Sequence, residues 1–162
     1  MSSRRYWALS GALVTMGLVA GLCFAFAVGV MPGLARADDR TLIAAMQQIN
    51  ERIENPVFFL VYFGAPVLGV WALVLEWRAG SRAAVRWIVA ALVLYGIAIL
   101  VTGGGNLPLN DDLAQAGDPG RIRAVAEVRD DYYGPWVAWN IVRTVLHTAA
   151  FCALIPAWRR AT

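Results

Sequence analysis

Residues 6–31 read YWALSGALVTMGLVAGLCFAFAVGVM, a stretch without a single charged side chain. A helix that crosses a bilayer needs about 20 predominantly apolar residues, so this stretch is long enough to span one. Further runs of this kind lie at residues 57–77, 83–101 and 136–158. Aromatic residues typical of the headgroup layer flank the runs, among them Tyr6, Trp77 and Trp158. The sequence predicts an all-α fold: an integral membrane four-helix bundle that forms a single domain over residues 1–162.

The composition supports this fold class. Hydrophobic residues make up 59% of the chain and charged residues 15%, against roughly 25% charged in an ordinary soluble domain. That balance excludes a disordered chain, and it argues against a soluble monomer because too few polar residues remain to cover a core. The net charge of +3 comes from arginines spread over the ends of apolar runs. Without a clustered basic face we expect no nucleic-acid partner.

The arginines also predict an orientation. Short flanks on one side of the runs hold Arg4 and Arg5, then Arg78, Arg82 and Arg86, then Arg159 and Arg160. By the positive-inside rule, both termini are expected to be cytoplasmic, in a bacterial cytoplasmic membrane. The first run exceeds the about 7–15 apolar residues of an export signal, so we expect a retained helix.

The two outer loops are predicted to carry short extracytoplasmic surface helices. Residues 38–50 begin with a capping aspartate, Asp38 or Asp39, and place Leu42, Ile43, Met46 and Ile49 on one helical face. In the second loop, residues 103–105 are three glycines that we expect to end the third helix. Residues 106–113 are expected to be irregular, and residues 121–133 to form another short helix.

Small residues in the first run occur every fourth position, at Gly17, Gly21, Ala25 and Gly29. Such a stripe lets a neighbouring backbone approach closely. Packing within the bundle is favoured over homodimerisation, although the oligomeric state stays open. Cys23 and Cys152 are expected at different depths, so we predict two packing residues rather than a disulfide.

A polar stripe marks the fourth run. Trp136, Asn140, Arg143 and His147 follow at spacings of four, three and four, which places them on one helical face. An arginine inside a membrane costs about 2.5–3.5 kcal/mol on insertion scales, so it needs partners. It either has a structural role, in which it snorkels outward or locks the helices together with Asp111, Asp112 or carbonyls near Asn106 as partners, or it binds an anionic or carbonyl oxygen. The binding interpretation is favoured.

His147 is the only histidine. A zinc site needs three or four ligands, so we expect neither a metal nor another cofactor. His147 is either a satisfied core residue or a group for proton transfer near neutral pH. Trp136 and Trp139 either line a flat aromatic pocket or belong to an interfacial belt.

Several motifs together resemble the anthrone-oxygenase-like family of small four-helix membrane proteins, long catalogued as a domain of unknown function. The motifs span nearly the whole chain: Gly17-Leu-Val-Ala-Gly21, Phe24-Ala-Phe26, Val30-Met31-Pro32, Met46-Gln47-Gln48-Ile49-Asn50, Asn55-Pro56-Val57-Phe58, Asn106-Leu-Pro108-Leu-Asn110 and Trp136-Val-Ala-Trp139-Asn140-Ile-Val-Arg143-Thr144.

The resemblance implies a membrane oxygenase that converts a flat phenolic or anthrone-type substrate without a cofactor. Catalysis would then involve Asn140, Arg143 and His147, and the substrate would contact Trp136, Trp139, Asn106 and Asn110. Ile141 occupies a position that is often histidine in the family, which leaves His147 or a loop carboxylate as the proton acceptor. The alternatives are a module that binds a lipid or quinone, or a structural or accessory membrane protein. A transporter is disfavoured because no inverted repeat is evident.

Overall fold

Five helices make up the structure, a computed structural model that describes residues 3–161. They are α1 (Ser3–Leu34), α2 (Asp39–Ile53), α3 (Pro56–Arg78), α4 (Arg82–Gln115) and α5 (Val125–Ala161). All except α2 are long and apolar enough to cross a membrane. The described chain is therefore all-α with four candidate spans, as the hydrophobic runs predict.

The four long helices form a closed ring in which α1 packs on α3 and α5, and α4 packs on the same two helices. Small buried residues such as Ala12, Ala65, Ala91 and Ala150 line the contacts and allow the helices to approach closely. Large apolar side chains point outward instead, including Leu18, Leu60, Leu100 and Val145. An apolar exterior around a core of small residues is what a lipid-facing bundle requires.

One end of the bundle holds the described chain ends and the turn between α3 and α4, where Gly80 adopts a φ of 74°. We refer to it as the hairpin end. Here Arg5 Nε donates to Glu76 Oε1 at 2.8 Å, and Arg5 Nη2 donates to Glu76 Oε2 at 2.6 Å. Glu76 is fully buried, so this two-point ion pair joins α1 to α3 inside the bundle.

The opposite end is covered by α2. Asp38 caps this helix by accepting a hydrogen bond from the Thr41 backbone N–H at 3.0 Å. The helix buries Leu42, Ile43 and Met46 in a second core cluster, together with Met31 of α1, Leu113 of α4, and Tyr132 and Trp136 of α5. The predicted short helix, its cap and its apolar face are confirmed.

The first turns of α5 replace a predicted separate helix. Residues 125–133 are continuous with the long helix, so the expectation of an independent surface helix over residues 121–133 is wrong. Arg129 explains the continuity, because its guanidinium donates to the carbonyls of Ala35 and Ala37 and pairs with Asp39 at 2.6 Å. These contacts anchor the start of α5 against the segment between α1 and α2.

Two π-helical turns interrupt the long helices, at Phe26–Val30 in α1 and Thr102–Asn106 in α4. The expectation that Gly103, Gly104 and Gly105 end the helix, with irregular chain after them, is therefore wrong. The helix continues to Gln115 because Thr102 Oγ1 donates to the Ala98 carbonyl and Asn106 Nδ2 donates to the Trp136 carbonyl. π-Helical turns of this kind are often found at functional sites.

The stripe of small residues on α1 packs within the bundle only at its first position. A Cβ at Gly17 would lie 3.1 Å from the Phe151 ring of α5, so that contact is close. Gly21, Ala25 and Gly29 are exposed, and nothing lies near the two glycines. The expectation that the whole stripe packs inside is wrong, because a spacing of four residues advances by about 40° per step and so carries the stripe around the helix, away from the neighbour that Gly17 contacts.

Both cysteines are free. Cys23 is buried in α1, as a packing residue should be, whereas Cys152 is exposed on α5. The prediction that Cys152 packs inside is therefore wrong, although the absence of a disulfide between the two agrees with their predicted depths.

Candidate functional site

A cavity of about 220 Å³ lies between the two core clusters. Every helix contributes to its lining: Val19, Leu22, Cys23 and Phe26 from α1, Ile49, Asn50 and Ile53 from α2, Phe58, Phe59, Tyr62 and Phe63 from α3, Thr102, Leu107 and Asn110 from α4, Trp136 and Arg143 from α5, and Glu54 from the turn after α2. The volume is slightly below the roughly 300–1,000 Å³ typical of small-molecule sites. The walls are mainly apolar and aromatic, with a few polar groups that converge.

Arg143 is the cationic group of this lining. Its Nε donates to Asn140 Oδ1 at 3.0 Å, and its Cζ lies 5.2 Å from the centre of the Trp136 ring. The terminal nitrogens Nη1 and Nη2 have no hydrogen-bond partner among the described residues. Arg143 also forms no ion pair there, and Asp111 and Asp112 are exposed. Among residues 3–161, therefore, neither aspartate neutralises Arg143, contrary to the structural interpretation.

Asn140 holds the arginine in place from behind the cavity wall. It is completely buried, and its Nδ2 donates to the carbonyl of Cys23 at 3.2 Å. Because Nδ2 is committed to that carbonyl, Oδ1 is left to accept from Arg143. Thr144 Oγ1 donates to the Asn140 carbonyl at 2.6 Å, which completes this local network. The guanidinium is thereby oriented before any ligand binds.

Asn110 is oriented by two aromatic donors. Its Oδ1 accepts from Trp136 Nε1 at 2.8 Å and from the Tyr132 hydroxyl at 3.1 Å. An indole N–H can only donate, so the amide oxygen must face Trp136 and the Nδ2 group is left for other partners. Since Asn110 lines the cavity and no described residue accepts from its Nδ2, that N–H₂ group is available to a ligand.

Asn106 supports the same wall without lining the cavity. It is buried, and its Nδ2 donates to the Trp136 carbonyl at 3.2 Å, while its Oδ1 has no partner among the described residues. The bond joins the π-helical turn of α4 to α5 beside Trp136. Asn106 is thus placed behind the predicted contact residues rather than among them.

The structure brings only part of the predicted set to the cavity. Arg143, Trp136 and Asn110 line it, and Asn140 and Asn106 lie directly behind. Trp139 is 42% exposed and lies against Gly105, outside the cavity. It precedes Asn140 by one residue, which is about 100° around the helix, so its ring turns outward.

His147 is fully buried beyond the cavity wall. Its ring packs edge-on against Tyr95, with ring centres 4.6 Å apart, and against Tyr62 at 6.0 Å. Neither ring nitrogen has a hydrogen-bond partner among the described residues. The imidazole does not line the cavity, although the Tyr62 ring against which it packs does.

Sequence reasoning missed four lining residues with polar side chains: Tyr62, Glu54, Asn50 and Thr102. Tyr62 is 8% exposed and its hydroxyl has no partner in the described chain, although the side chain lines the cavity. Its hydroxyl was the one polar group in the run from Phe58 to Phe63, which was a usable signal. Glu54 lines the cavity from the turn before α3, and only the fold reveals that position.

No group of three or more His, Cys, Asp and Glu side chains in residues 3–161 is arranged to hold a metal ion. The chemistry that this site offers consists of hydrogen-bond donors, one guanidinium and one carboxylate within an aromatic enclosure.

A family model described as anthrone oxygenase matches residues 58–153. The matched segment includes α3, α4 and most of α5, and hence Arg143, Asn140, Trp136, Asn110 and Tyr62. Comparison with the curated proteins and with the solved structures gives no significant match.

Proposed function

Because that match covers more than half of the chain, the chain belongs to the anthrone oxygenase family, and we propose that it is a membrane-embedded oxygenase for flat phenolic, anthrone-type substrates. The observation that carries the proposal is the unneutralised Arg143 guanidinium in an aromatic cavity. A partly buried cation at membrane depth, with free donors, is costly unless a ligand supplies acceptor oxygens. A planar hydroxylated ketone supplies such oxygens on an apolar frame.

In the proposed complex the substrate lies against the Trp136 ring with its carbonyl oxygen directed at the terminal nitrogens of Arg143. Tyr62 and Asn110 offer the remaining donors, a hydroxyl and an amide N–H₂ group. An anthrone has an acidic methylene group opposite its carbonyl. Removal of one methylene proton places negative charge on the carbonyl oxygen, where fixed donors stabilise it as an oxyanion site does.

The resulting electron-rich anion is then oxidised by dioxygen, which the proposal takes as the co-substrate. Overall, the methylene group and O₂ give a ring carbonyl and one water molecule: R₂CH₂ + O₂ → R₂C=O + H₂O. The substrate carbon is oxidised, one oxygen atom becomes the new carbonyl, and the other leaves as water. The anion is itself a sufficient reductant, so the proposal includes no metal or organic cofactor.

Substrate entry from the bilayer is part of the proposal. The lining residues Phe59, Phe63 and Leu107 are 42%, 51% and 42% exposed. They belong to α3 and α4 and lie where those helices face outward. An apolar substrate dissolved in lipid would therefore meet an aromatic rim before it meets Arg143.

The same proposal assigns the chain to a bacterial cytoplasmic membrane with the hairpin end and both termini in the cytoplasm. Arg78, Arg82 and Arg86 lie near that end, which supports this orientation under the positive-inside rule. The α2 end, with the cavity beneath it, would then face the extracytoplasmic side.

The decisive experiment measures oxygen uptake by the purified protein in detergent with several anthrones. Arg143→Ala is expected to lower the rate roughly 10²–10³-fold, the usual effect of removing an oxyanion donor. Arg36→Ala, which removes an exposed arginine outside the cavity, should act like the unmodified protein. Uptake that survives in Arg143→Ala would refute the assignment.

The alternative is a non-enzymatic module that holds a quinone or lipid headgroup with the same donors. It predicts Arg143-dependent binding of a quinone without any oxygen uptake. A third reading, an accessory protein, predicts neither binding nor uptake, and Arg143→Ala would then chiefly lower thermal stability.

A further inference from the structure

We propose that Glu54 accepts the proton from the bound substrate and passes it to the aqueous side; this inference rests on the proposed oxygenase function. Glu54 and Arg143 are the two charged residues that line the cavity within residues 3–161. They carry opposite charges and do not pair with each other. A ligand can therefore lie between a guanidinium that stabilises an oxyanion and a carboxylate that takes a proton.

The backbone around Glu54 is held in a fixed geometry by Asn55. Asn55 Oδ1 accepts from the backbone N–H groups of Val57 and Phe58 at 3.1 Å each and so caps α3. Asn55 Nδ2 donates to the carbonyls of Arg52 and Ile53. The Glu54 side chain thus extends from a rigid turn between two helices. Its carboxylate makes no hydrogen bond or ion pair with any described residue.

A second cavity explains where the proton would go. It measures about 500 Å³ and is lined mostly by polar groups: Gln47, Asn50, Glu51, Glu54, Asn110, Asp111, Ala114, Gly117 and Asp118. Three residues, Asn50, Glu54 and Asn110, belong to the linings of both cavities. The inner aromatic cavity and the outer polar one therefore meet at a short polar boundary, and Glu54 is its titratable member.

His147 is the competing acceptor, and its position disfavours direct transfer. The imidazole does not line the cavity, and it packs edge-on against Tyr62, which does. Glu54 instead lies at the junction of the two cavities. In the proposed step a methylene C–H bond breaks, the O–H bond of the Glu54 carboxyl group forms, and the electron pair moves onto the carbonyl oxygen beside Arg143.

The test isolates proton removal from oxidation. Under anaerobic conditions in D₂O, the unmodified protein should catalyse deuterium incorporation at the acidic methylene of an anthrone. Glu54→Gln keeps the side-chain size but removes the base, so the exchange rate should fall roughly 10²–10⁴-fold. Glu51→Gln is the matched control, since Glu51 lies three residues earlier, at the end of α2, and lines only the outer cavity.

A structural role for Glu54 is tested separately. Glu54→Gln should bind the corresponding anthraquinone, which has no methylene proton, with unchanged affinity. Added formate should restore exchange to Glu54→Ala in a concentration-dependent manner, which a merely misfolded variant would not show.

The outcomes separate this inference from the function on which it rests. Exchange at the unmodified rate in Glu54→Gln, or a loss confined to His147→Gln, would overturn the role of Glu54 while leaving the oxygenase intact. Absence of both exchange and oxygen uptake in the unmodified protein would overturn the oxygenase, and the role of Glu54 with it.

Discussion

Asn140 positions Arg143 from one turn earlier in the same helix: Arg143 Nε donates to Asn140 Oδ1 at 3.0 Å, and Asn140 Nδ2 donates to the Cys23 carbonyl. The guanidinium is therefore fixed by a neutral amide rather than by a carboxylate. A neutral partner orients the positive charge without cancelling it.

Asn140→Asp should replace the neutral partner of Arg143 with a charged one, at the cost of the hydrogen bond to the Cys23 carbonyl. The aspartate can still accept from Arg143 Nε, but its negative charge neutralises the guanidinium and competes with the substrate oxyanion. We expect a folded protein whose oxygen uptake falls at least roughly tenfold, equivalent to about 1.4 kcal/mol. Oxygen uptake and the affinity for an anthraquinone check this, and full activity in Asn140→Asp would show that the charge of Arg143 is not needed.

Phe63→Ala should widen the entrance of the cavity. Phe63 is half exposed and lines the cavity where it faces outward, so its removal admits larger ring substituents at little cost in stability. The ratio of kcat/KM for a bulky anthrone to that for an unsubstituted one should rise roughly tenfold. Phe24→Ala, an exposed aromatic on α1 outside the lining, is the control, and an equal ratio in both variants would contradict lateral entry beside Phe63.

Gly105→Ala should destabilise the bundle. A Cβ at Gly105 would lie 2.6 Å from Cγ and Cδ2 of Trp139, near the attachment of the ring, so ring rotation cannot relieve the clash. Overpacking of this kind costs about 1–3 kcal/mol. Thermal unfolding in detergent should show the loss for Gly105→Ala and not for Gly104→Ala, where nothing lies within 4 Å. In a protein that already carries Trp139→Ala, the change Gly105→Ala should cost little stability. If the losses of the two single variants instead add up in the double variant, the clash between Gly105 and Trp139 is contradicted.

Arg5→Ala should be the most destabilising change at the hairpin end. It leaves the fully buried Glu76 carboxylate without its partner, and breaking a buried pair in this way costs about 3–5 kcal/mol. Arg4→Ala removes an exposed neighbouring arginine and is the control. Thermal unfolding distinguishes them, and equal melting temperatures would show that the ion pair contributes nothing.

Acid should weaken the cap of α2 through Asp38. The hydrogen bonds from Thr41 hold the pKa of the Asp38 carboxyl below its usual value. Because the pKa is lower in the folded state, the charged carboxylate stabilises the fold fully above the unfolded-state pKa of about 4. This stabilisation is lost as the pH falls through the folded-state pKa. Asp38→Asn keeps a capping oxygen but does not titrate there. Below about pH 4 the melting temperature should therefore fall more steeply in the unmodified protein than in Asp38→Asn. Parallel curves of melting temperature against pH for the two proteins would contradict this role of Asp38.

Much of the fold was predictable because hydrophobic length decides it. The four long apolar runs correspond to the four candidate spans, and Asp38 begins the short helix that crosses the bundle end. The continuation of α4 through three glycines and the start of α5 at Val125 were not predictable. Both depend on distant partners, Trp136 for Asn106 and the segment near Ala35 for Arg129.

Residue spacing alone predicted the site only along a single helix, and Asn110 of α4 came from the family resemblance. The spacing of Trp136, Asn140 and Arg143 places them on one face whatever surrounds them. The contributions of Tyr62 and Glu54 come from other helices and depend on how those pack, which no local pattern encodes. Trp139 was predicted to contact the substrate but lies outside the cavity. Neighbouring sequence positions on a helix point in different directions, so its closeness to Asn140 in sequence does not bring it to the same face.

The π-helical turn at Thr102–Asn106 determines how the geometry of the cavity responds to a change in chain length. Such a turn accommodates one residue more than an α-helical turn over the same rise. Deleting one of the three glycines would therefore let the segment revert to regular winding while the helix after it, including Asn110, keeps its orientation. A deletion in the regularly wound turns of α4 before it would instead rotate Asn110 by roughly 100° about the helix axis and turn it away from Trp136. For this protein, a one-residue deletion among the glycines is expected to disturb the cavity less than one in the preceding turns of α4.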